Sequence, residues 1–351
     1  ASDVYKRQLS AGMTYALIGM RTISGVYHHG VLPVVAFAIG WLIAEGSSDK
    51  QIRDGILALA AGFGTYATLN MLVNIGNNRY RLIDFWTGTY RAATGSGALN
   101  TLPISVAPYA VKFEKRLPVK IMFLALFFAT IQYMFTLGTR TQFAILLLIV
   151  ILAALQFAYS EQGIAGVLKC IGIMAVISLI AFLLYHFNVL SIREYILNTN
   201  LAARYERRAS LENADSFRFQ SFWIGLRELI QYPMGGRASQ IYRHNMWLDV
   251  GRVSGIIPFC LLLVYSIKNF ANVTVIWKNT KILPSLRYLL LFLYIGAYVN
   301  CFVEPIWEGA LNFFLALCVV DGMVSAMMRR LENDPTPEES VSDTSNLHTD
   351  L

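Results

Sequence analysis

Charge is scarce in this sequence. Only 15% of its residues are charged, against roughly 25% in an ordinary soluble domain. Cysteine is scarcer still. Cys170, Cys260, Cys301 and Cys318 lie in or beside apolar blocks and form no CxxC pair. That excludes a disulfide framework and a thiolate metal site, and leaves four small buried hydrophobes. The histidines His28, His29, His186 and His348 have no acidic or cysteine partner at ligand spacing, so no metal is expected. The glycine cluster Thr94-Gly95-Ser96-Gly97-Ala98 matches no Walker or dinucleotide pattern, which argues against nucleotide binding and any cofactor. Net charge is +7. The basic residues are spread over many short loops, so nucleic acid is not an expected partner.

Apolar residues are abundant, 56% of the chain with a mean hydropathy of +0.49. Several blocks approach the ~20 residues that cross a ~30 Å hydrocarbon core. A spanning segment must satisfy its backbone internally, as a helix or a closed barrel. Blocks such as Ala144 to Phe157 are apolar on all sides instead of alternating, which favours helices. The expected fold is therefore an all-α membrane protein with a polytopic domain over 9–327. Candidate spans are 9–24, 30–46, 55–75, 98–112, 119–137, 141–159, 168–186, 253–267, 285–302 and 308–327, about ten helices. The chain starts Ala1-Ser2-Asp3 with neither Met nor a signal-peptide pattern. It reads as N-terminally incomplete, with earlier spans missing. Residues 328–351 read as a disordered cytoplasmic tail, rich in Asp, Glu, Ser and Pro.

Short-loop charge sets the orientation. One side carries Lys50, Arg53, Lys112, Lys115, Arg116, Lys120, Lys169, Lys268, Lys278, Lys281, Arg287, Arg329 and Arg330. The other carries Arg79, Arg81, Arg91 and Arg140. The first side is expected to be cytoplasmic. The long hydrophilic segment 187–253 then faces outward. It holds no lysine, yet it holds Arg193, Arg204, Arg207, Arg208, Arg218, Arg227, Arg237, Arg243 and Arg252. Insertion bias disfavours both basic types outside, so it does not explain the choice of arginine. Arginine's planar fork, which grips phosphate or carboxylate through two hydrogen bonds, does. Headgroup contact and pairing with Glu194, Glu206, Glu212, Asp215, Glu228 and Asp249 is the competing explanation.

Short helices are expected over Leu201 to Glu212 and Phe217 to Gln231. The second carries Phe219, Phe222, Trp223, Leu226, Leu229 and Ile230 at helical spacing, a face for the bundle or the lipid interface. Pro233-Met234-Gly235-Gly236 ends it. His244-Asn245 precedes the segment that re-enters the membrane. An imidazole there can exchange a proton near neutral pH; Asn245 can equally cap the helix that follows. Arg140 closes a span, either as a snorkelling anchor or as the lining of an outward cavity. Glu304 and Glu308 sit in a short outward turn, able to take a proton or pair with an arginine.

Four stretches together resemble the O-antigen ligase and O-antigen polymerase superfamily. Arg91 to Ala107 (RAATGSGALNTLPISVA) resembles that family's R-x-x-G … P-N-x-x-A entry into a span, with Leu99-Asn100-Thr101 for the Asn. Leu137 to Gln142 (LGTRTQ) is similar to its T-x-S-R-G arginine, with Thr139 in place of Ser and Thr141 in place of Gly. Arg218 to Gly235 (RFQSFWIGLRELIQYPMG) resembles R-x-x-x-W-x-x-A-x-x-x-I-x-x-x-P-x-x-G, and His244 to Gly255 (HNMWLDVGRVSG) resembles H-N-x-x-L-x-x-x-x-x-x-G. The resemblance spans about residues 55–327. It implies a GT-C-like, metal-independent glycosyltransferase of the bacterial inner membrane, with its site facing the periplasm. Its donor would be a glycan on undecaprenyl diphosphate, and its acceptor a lipid A core or another lipid-linked glycan. Membrane lipids would be its other partners. Carried over, Arg140 and Arg218 would bind the diphosphate and His244 would act as general base. Arg91, Glu304, Arg207 and Asn245 are the further substrate-binding candidates.

Overall fold

The computed structural model describes residues 27–74, 81–209, 214–237 and 241–333. The expected span 9–24 and the tail beyond Asn333 lie outside them. A short π turn, Tyr27–Val31, leads into α1 (Leu32–Glu45), followed by α2 (Asp49–Leu72). A two-stranded antiparallel ribbon follows, β1 (Arg81–Ile83) and β2 (Tyr90–Ala92), with Leu82 opposite Arg91. Next come α3 (Ala93–Leu99), α4 (Thr101–Lys112), α5 (Leu117–Leu137) and α6 (Arg140–His186). The long segment holds α7 (Ile192–Leu197), α8 (Asn200–Ala209) and α9 (Ala214–Gln231). The chain returns through α10 (Met246–Ser254), α11 (Ile256–Lys278), α12 (Pro284–Val303), α13 (Ile306–Gly309) and α14 (Leu311–Asn333).

Among the described residues, seven helices are long and apolar enough to cross a membrane: Tyr27–Glu45, α2, α5, α6, α11, α12 and α14. The sequence reading differs at two places for physical reasons. Residues 98–112 do not form a span of their own. Asn100 separates α3 from the short α4, which is buried from Thr101 to Ala110 in the middle of the bundle. Its apolar sequence serves the protein interior, not lipid. Residues 141–159 and 168–186 fall within one helical run, α6, broken at Gly163 (φ 61°, ψ −144°). A Cβ on Gly166 would lie 2.3 Å from the carbonyl oxygen of Ala158. Eight residues of straight helix rise ~12 Å, so the run bends sharply there. Its second arm exposes Ile173, Val176, Ile180 and Phe182, an apolar surface suited to lipid.

Local sequence explains several ends. Ser48 caps α2 by accepting from the Gln51 N–H, and the Gln51 side chain returns a bond to the Ser48 N–H at 2.8 Å. Prolines open α5 and α12. Gly138 ends α5 in the left-handed conformation (φ 67°), its N–H bonded to the Met134 carbonyl at 2.8 Å. That turn delivers Arg140 directly to the start of α6. α1 and α14 pack backbone to backbone. A Cβ on Gly40 would lie 1.8 Å from the Val319 carbonyl oxygen, and one on Gly322 would lie 2.1 Å from that of Phe37. Small residues permit such approach where lipid supplies no hydrophobic drive between helices.

The bundle has two chemically distinct ends. At one, Arg116 bridges Asp54 and Glu114, Lys112 pairs with Glu161, and Arg329 pairs with Glu45. Arg116 beside Glu114 holds that carboxyl down at about 2. This is the lysine-bearing end. α14 continues to Asn333 there, so residues 328–333 are helix, not tail. The other end gathers the start of α6, the 304–310 turn and the loop before α10.

Candidate active site

At the second end the loop before α10 takes an unusual backbone conformation at His244. His244 has φ 55°, a left-handed conformation that costs a non-glycine residue about 1 kcal/mol or more. Its neighbours on both sides hold it there. Before it, the Arg243 N–H donates to Asp249 Oδ1 at 2.6 Å, and its guanidinium donates to both oxygens of Glu228 at 3.0 and 2.7 Å. After it, Asn245 accepts from the Leu248 N–H at 3.1 Å, capping α10, and donates to the Phe302 carbonyl at 3.2 Å. Asn245 therefore acts as the helix cap. The sequence left open whether it caps or binds substrate, and both ends of its amide are committed to the fold.

The His244 imidazole packs edge-on against Tyr242, with centroids 4.7 Å apart. Its Nδ1 lies 4.0 Å from Glu304 Oε2. Glu304 ends α12 and is almost completely buried. It also accepts a hydrogen bond from the Thr141 hydroxyl, on the first turn of α6. Thr141 adjoins Arg140, whose guanidinium lies over the Tyr205 ring at 5.8 Å. Two sequence-predicted residues, His244 and Glu304, thus meet, and Arg140 stands one residue from the threonine that bonds Glu304. They come from three distant parts of the chain.

Arg91 lies in β2, Arg207 in α8 and Arg218 in the first turns of α9; their side chains lie outside the described residues. α8 is nonetheless tied to the site end, because Asn200 donates to the Thr136 carbonyl at 2.6 Å. Of the two settings expected for the apolar residues of α9, bundle or lipid interface, most take the outer one. Its apolar residues Phe219, Trp223 and Ile230 are exposed, while Ser221, Glu228 and Leu229 are buried. A helix turns its apolar side outward when the outside is lipid and the inside is polar, and α9 encloses charge.

For Arg243 and Arg252 the structure shows the pairing with acidic residues that stood as the competing explanation in the sequence. Arg252 on α10 has no exposed side chain. It bonds to Glu308 and donates to the Arg237 carbonyl at 2.5 Å, with Asp249 3.7 Å away. Burial pushes the Asp249 carboxyl up to about 6, against the opposing Arg243 N–H and Arg252 charge. Burial likewise pushes Glu308 up to about 7. A signal existed: Asp249 and Arg252 lie at i, i+3 in an apolar segment, where charges are costly unless paired.

One cavity is lined by His244, and a second is lined by its neighbours Tyr242 and Glu304. The first, of about 420 Å³, is lined by Phe219, Phe222, Arg243, His244, Asn245, Phe302 and Val303. The other, of about 250 Å³, is lined by Tyr242, Glu304, Pro305, Glu308 and Gly309 among others. No family model matches the chain, and no curated protein matches it. Among the described residues no group of His, Cys, Asp and Glu could hold a metal ion. The chemistry available here is proton exchange at an imidazole backed by a buried carboxylate, with an arginine one residue from that carboxylate's hydroxyl partner.

Proposed function

We propose that the protein is an O-antigen-ligase-like glycosyltransferase, moving a glycan from undecaprenyl diphosphate to a hydroxyl acceptor such as a lipid A core. The observation that carries this reading is the meeting of His244, Glu304 and the Arg140–Thr141 turn. These are residues the family resemblance singles out or adjoins. In this reading His244 takes the proton of the acceptor hydroxyl, whose oxygen attacks the anomeric carbon. The bond from that carbon to the diphosphate oxygen breaks, and its electron pair leaves with the phosphate. Arg140 and Arg218 stabilise the charge that develops, and Glu304 supports the imidazolium. Arg91 and Arg207 are further donor contacts. The reading carries with it a GT-C-like arrangement in a bacterial inner membrane, with the lysine-bearing end cytoplasmic. Polymerisation onto another lipid-linked repeat is the alternative within the same superfamily.

A flippase or transporter is the rival of another class. Its specific support is Asp321, a buried carboxylate midway along α14, since intramembrane acids mark many transport paths. Both oxygens of Asp321 are occupied, by the Tyr265 and Tyr294 hydroxyls at 2.7 and 2.5 Å, which favours a structural role. The experiment supplies purified protein with undecaprenyl-diphosphate glycan and candidate acceptors, comparing wild type with His244→Ala and Arg140→Ala. Loss of transfer in both variants is expected. Undiminished transfer in both would reject the site, and glycan crossing vesicles without transfer would favour the transporter.

A further inference from the structure

We infer that the 250 Å³ cavity beside His244 is the acceptor subsite, shaped for one neutral sugar ring and selective against acidic sugars. The inference rests on the transferase reading above and adds to it where the acceptor binds and what it excludes. The cavity is below the ~300–1,000 Å³ typical of sites for drug-sized ligands, a scale that suits a single ring. Two of its walls, Tyr242 and Glu304, are the groups that touch the His244 imidazole. A hydroxyl bound there and held by Glu304 lies one side chain from His244, which itself lines the neighbouring 420 Å³ cavity.

The lining decides the chemistry. Glu304 and Glu308 both face this cavity. Carboxylates accept hydrogen bonds from sugar hydroxyls. They repel phosphate and uronate groups, all the more where burial lowers the local dielectric. A diphosphate donor is thereby kept from this side. The Glu308 side chain is one-quarter exposed and bonded to Arg252, which fixes its position. Gly309 forms part of the wall, and a Cβ there would meet only Pro305 Cγ, at 3.7 Å. The cavity can thus be narrowed without changing charge and without a clash.

The test uses the full chain in lipid nanodiscs with two probes, methyl α-glucopyranoside and its 6-carboxylate, methyl α-glucopyranosiduronate. Binding is read by saturation-transfer NMR. Wild type is expected to bind the neutral glycoside at least tenfold more tightly than the uronate. At pH 8, where Glu308 is ionised, Glu308→Gln removes one negative charge and the Arg252 guanidinium loses that partner, so the variant is expected to narrow that gap several-fold. Gly309→Ala is expected to weaken binding of the neutral glycoside by a similar factor. Equal binding of the two probes by wild type would overturn the inference. So would a preference that neither variant moves. Transfer is assayed on the same samples. Sugar binding that follows this pattern without glycan transfer rejects the transferase and leaves the subsite. Transfer with sugar binding blind to both variants does the reverse.

Discussion

Arg243→Met removes the guanidinium that closes on both oxygens of Glu228. The pair is buried, with about a tenth of each side chain exposed. Deleting one partner of such a pair costs about 3–5 kcal/mol, because the other charge stays behind unpaired. Arg237 stands 4.0 Å from the same carboxylate and offsets part of the loss. The expected cost is therefore near the lower end, about 3 kcal/mol, or more than a hundredfold in the folding equilibrium. Glu228→Leu alone is expected to destabilise as well, because it leaves Arg243 unpaired. The double variant removes both charges and should be far more stable than the two single losses added together. The assay is equilibrium unfolding in mixed micelles, followed by tryptophan fluorescence, for wild type, both singles and the double. Strict additivity would refute the claim that this pair acts as one buried unit holding the loop at His244. Transfer by the double variant is expected to stay low even so, because the restraint on residue 243 would be reduced to its backbone bond with Asp249.

Asn245→Ala removes a helix cap worth about 1 kcal/mol together with the tie to Phe302. Thermal unfolding should show a loss at least that large, and Asn245→Ser should recover part of it. The raised carboxyls at Asp249 and Glu308 fix the sign of a pH dependence. Their ordinary values are 3.8 and 4.5, and folding moves them to about 6 and about 7. The folded state then holds more protons across that interval, so stability falls as pH rises through it and levels off above. Glu308→Gln should flatten the upper part of that slope, which unfolding at stepped pH would measure. Gly40→Ala would drive a methyl into the Val319 carbonyl, and the α1–α14 contact must open to admit it. We expect lower stability by more than about 1 kcal/mol and a reduced yield of folded protein.

The spans were legible in the sequence because apolar length alone sets them, and the helix ends were legible where Pro118, Pro284 or Gly138 stands. What lay beyond reach was which apolar residues face lipid and which face protein. Both environments select the same composition, so α4 read as a span although it is core. The bend at Gly163 was hidden too, since a single glycine in an apolar run has many uses. At the site, the individual residues stood out through the family resemblance and the lysine-free loop. Their pairings did not. The Thr141–Glu304 bond joins residues 163 positions apart, and the Arg252–Glu308 bond joins residues 56 apart. Only the fold brings such partners together. Asn245 could be read two ways because one residue type serves both as a cap and as a ligand.

His244 occupies a costly backbone conformation, and in the proposed transferase its imidazole is what that conformation serves. His244→Gly tests it most directly, because glycine adopts φ 55° freely and keeps the loop geometry while deleting the ring. Stability and transfer are measured on the same preparation, with undecaprenyl-diphosphate glycan as donor. We expect unfolding at an equal or higher temperature, together with loss of glycan transfer. A variant that is equally stable and still transfers at the wild-type rate would contradict that role of the imidazole.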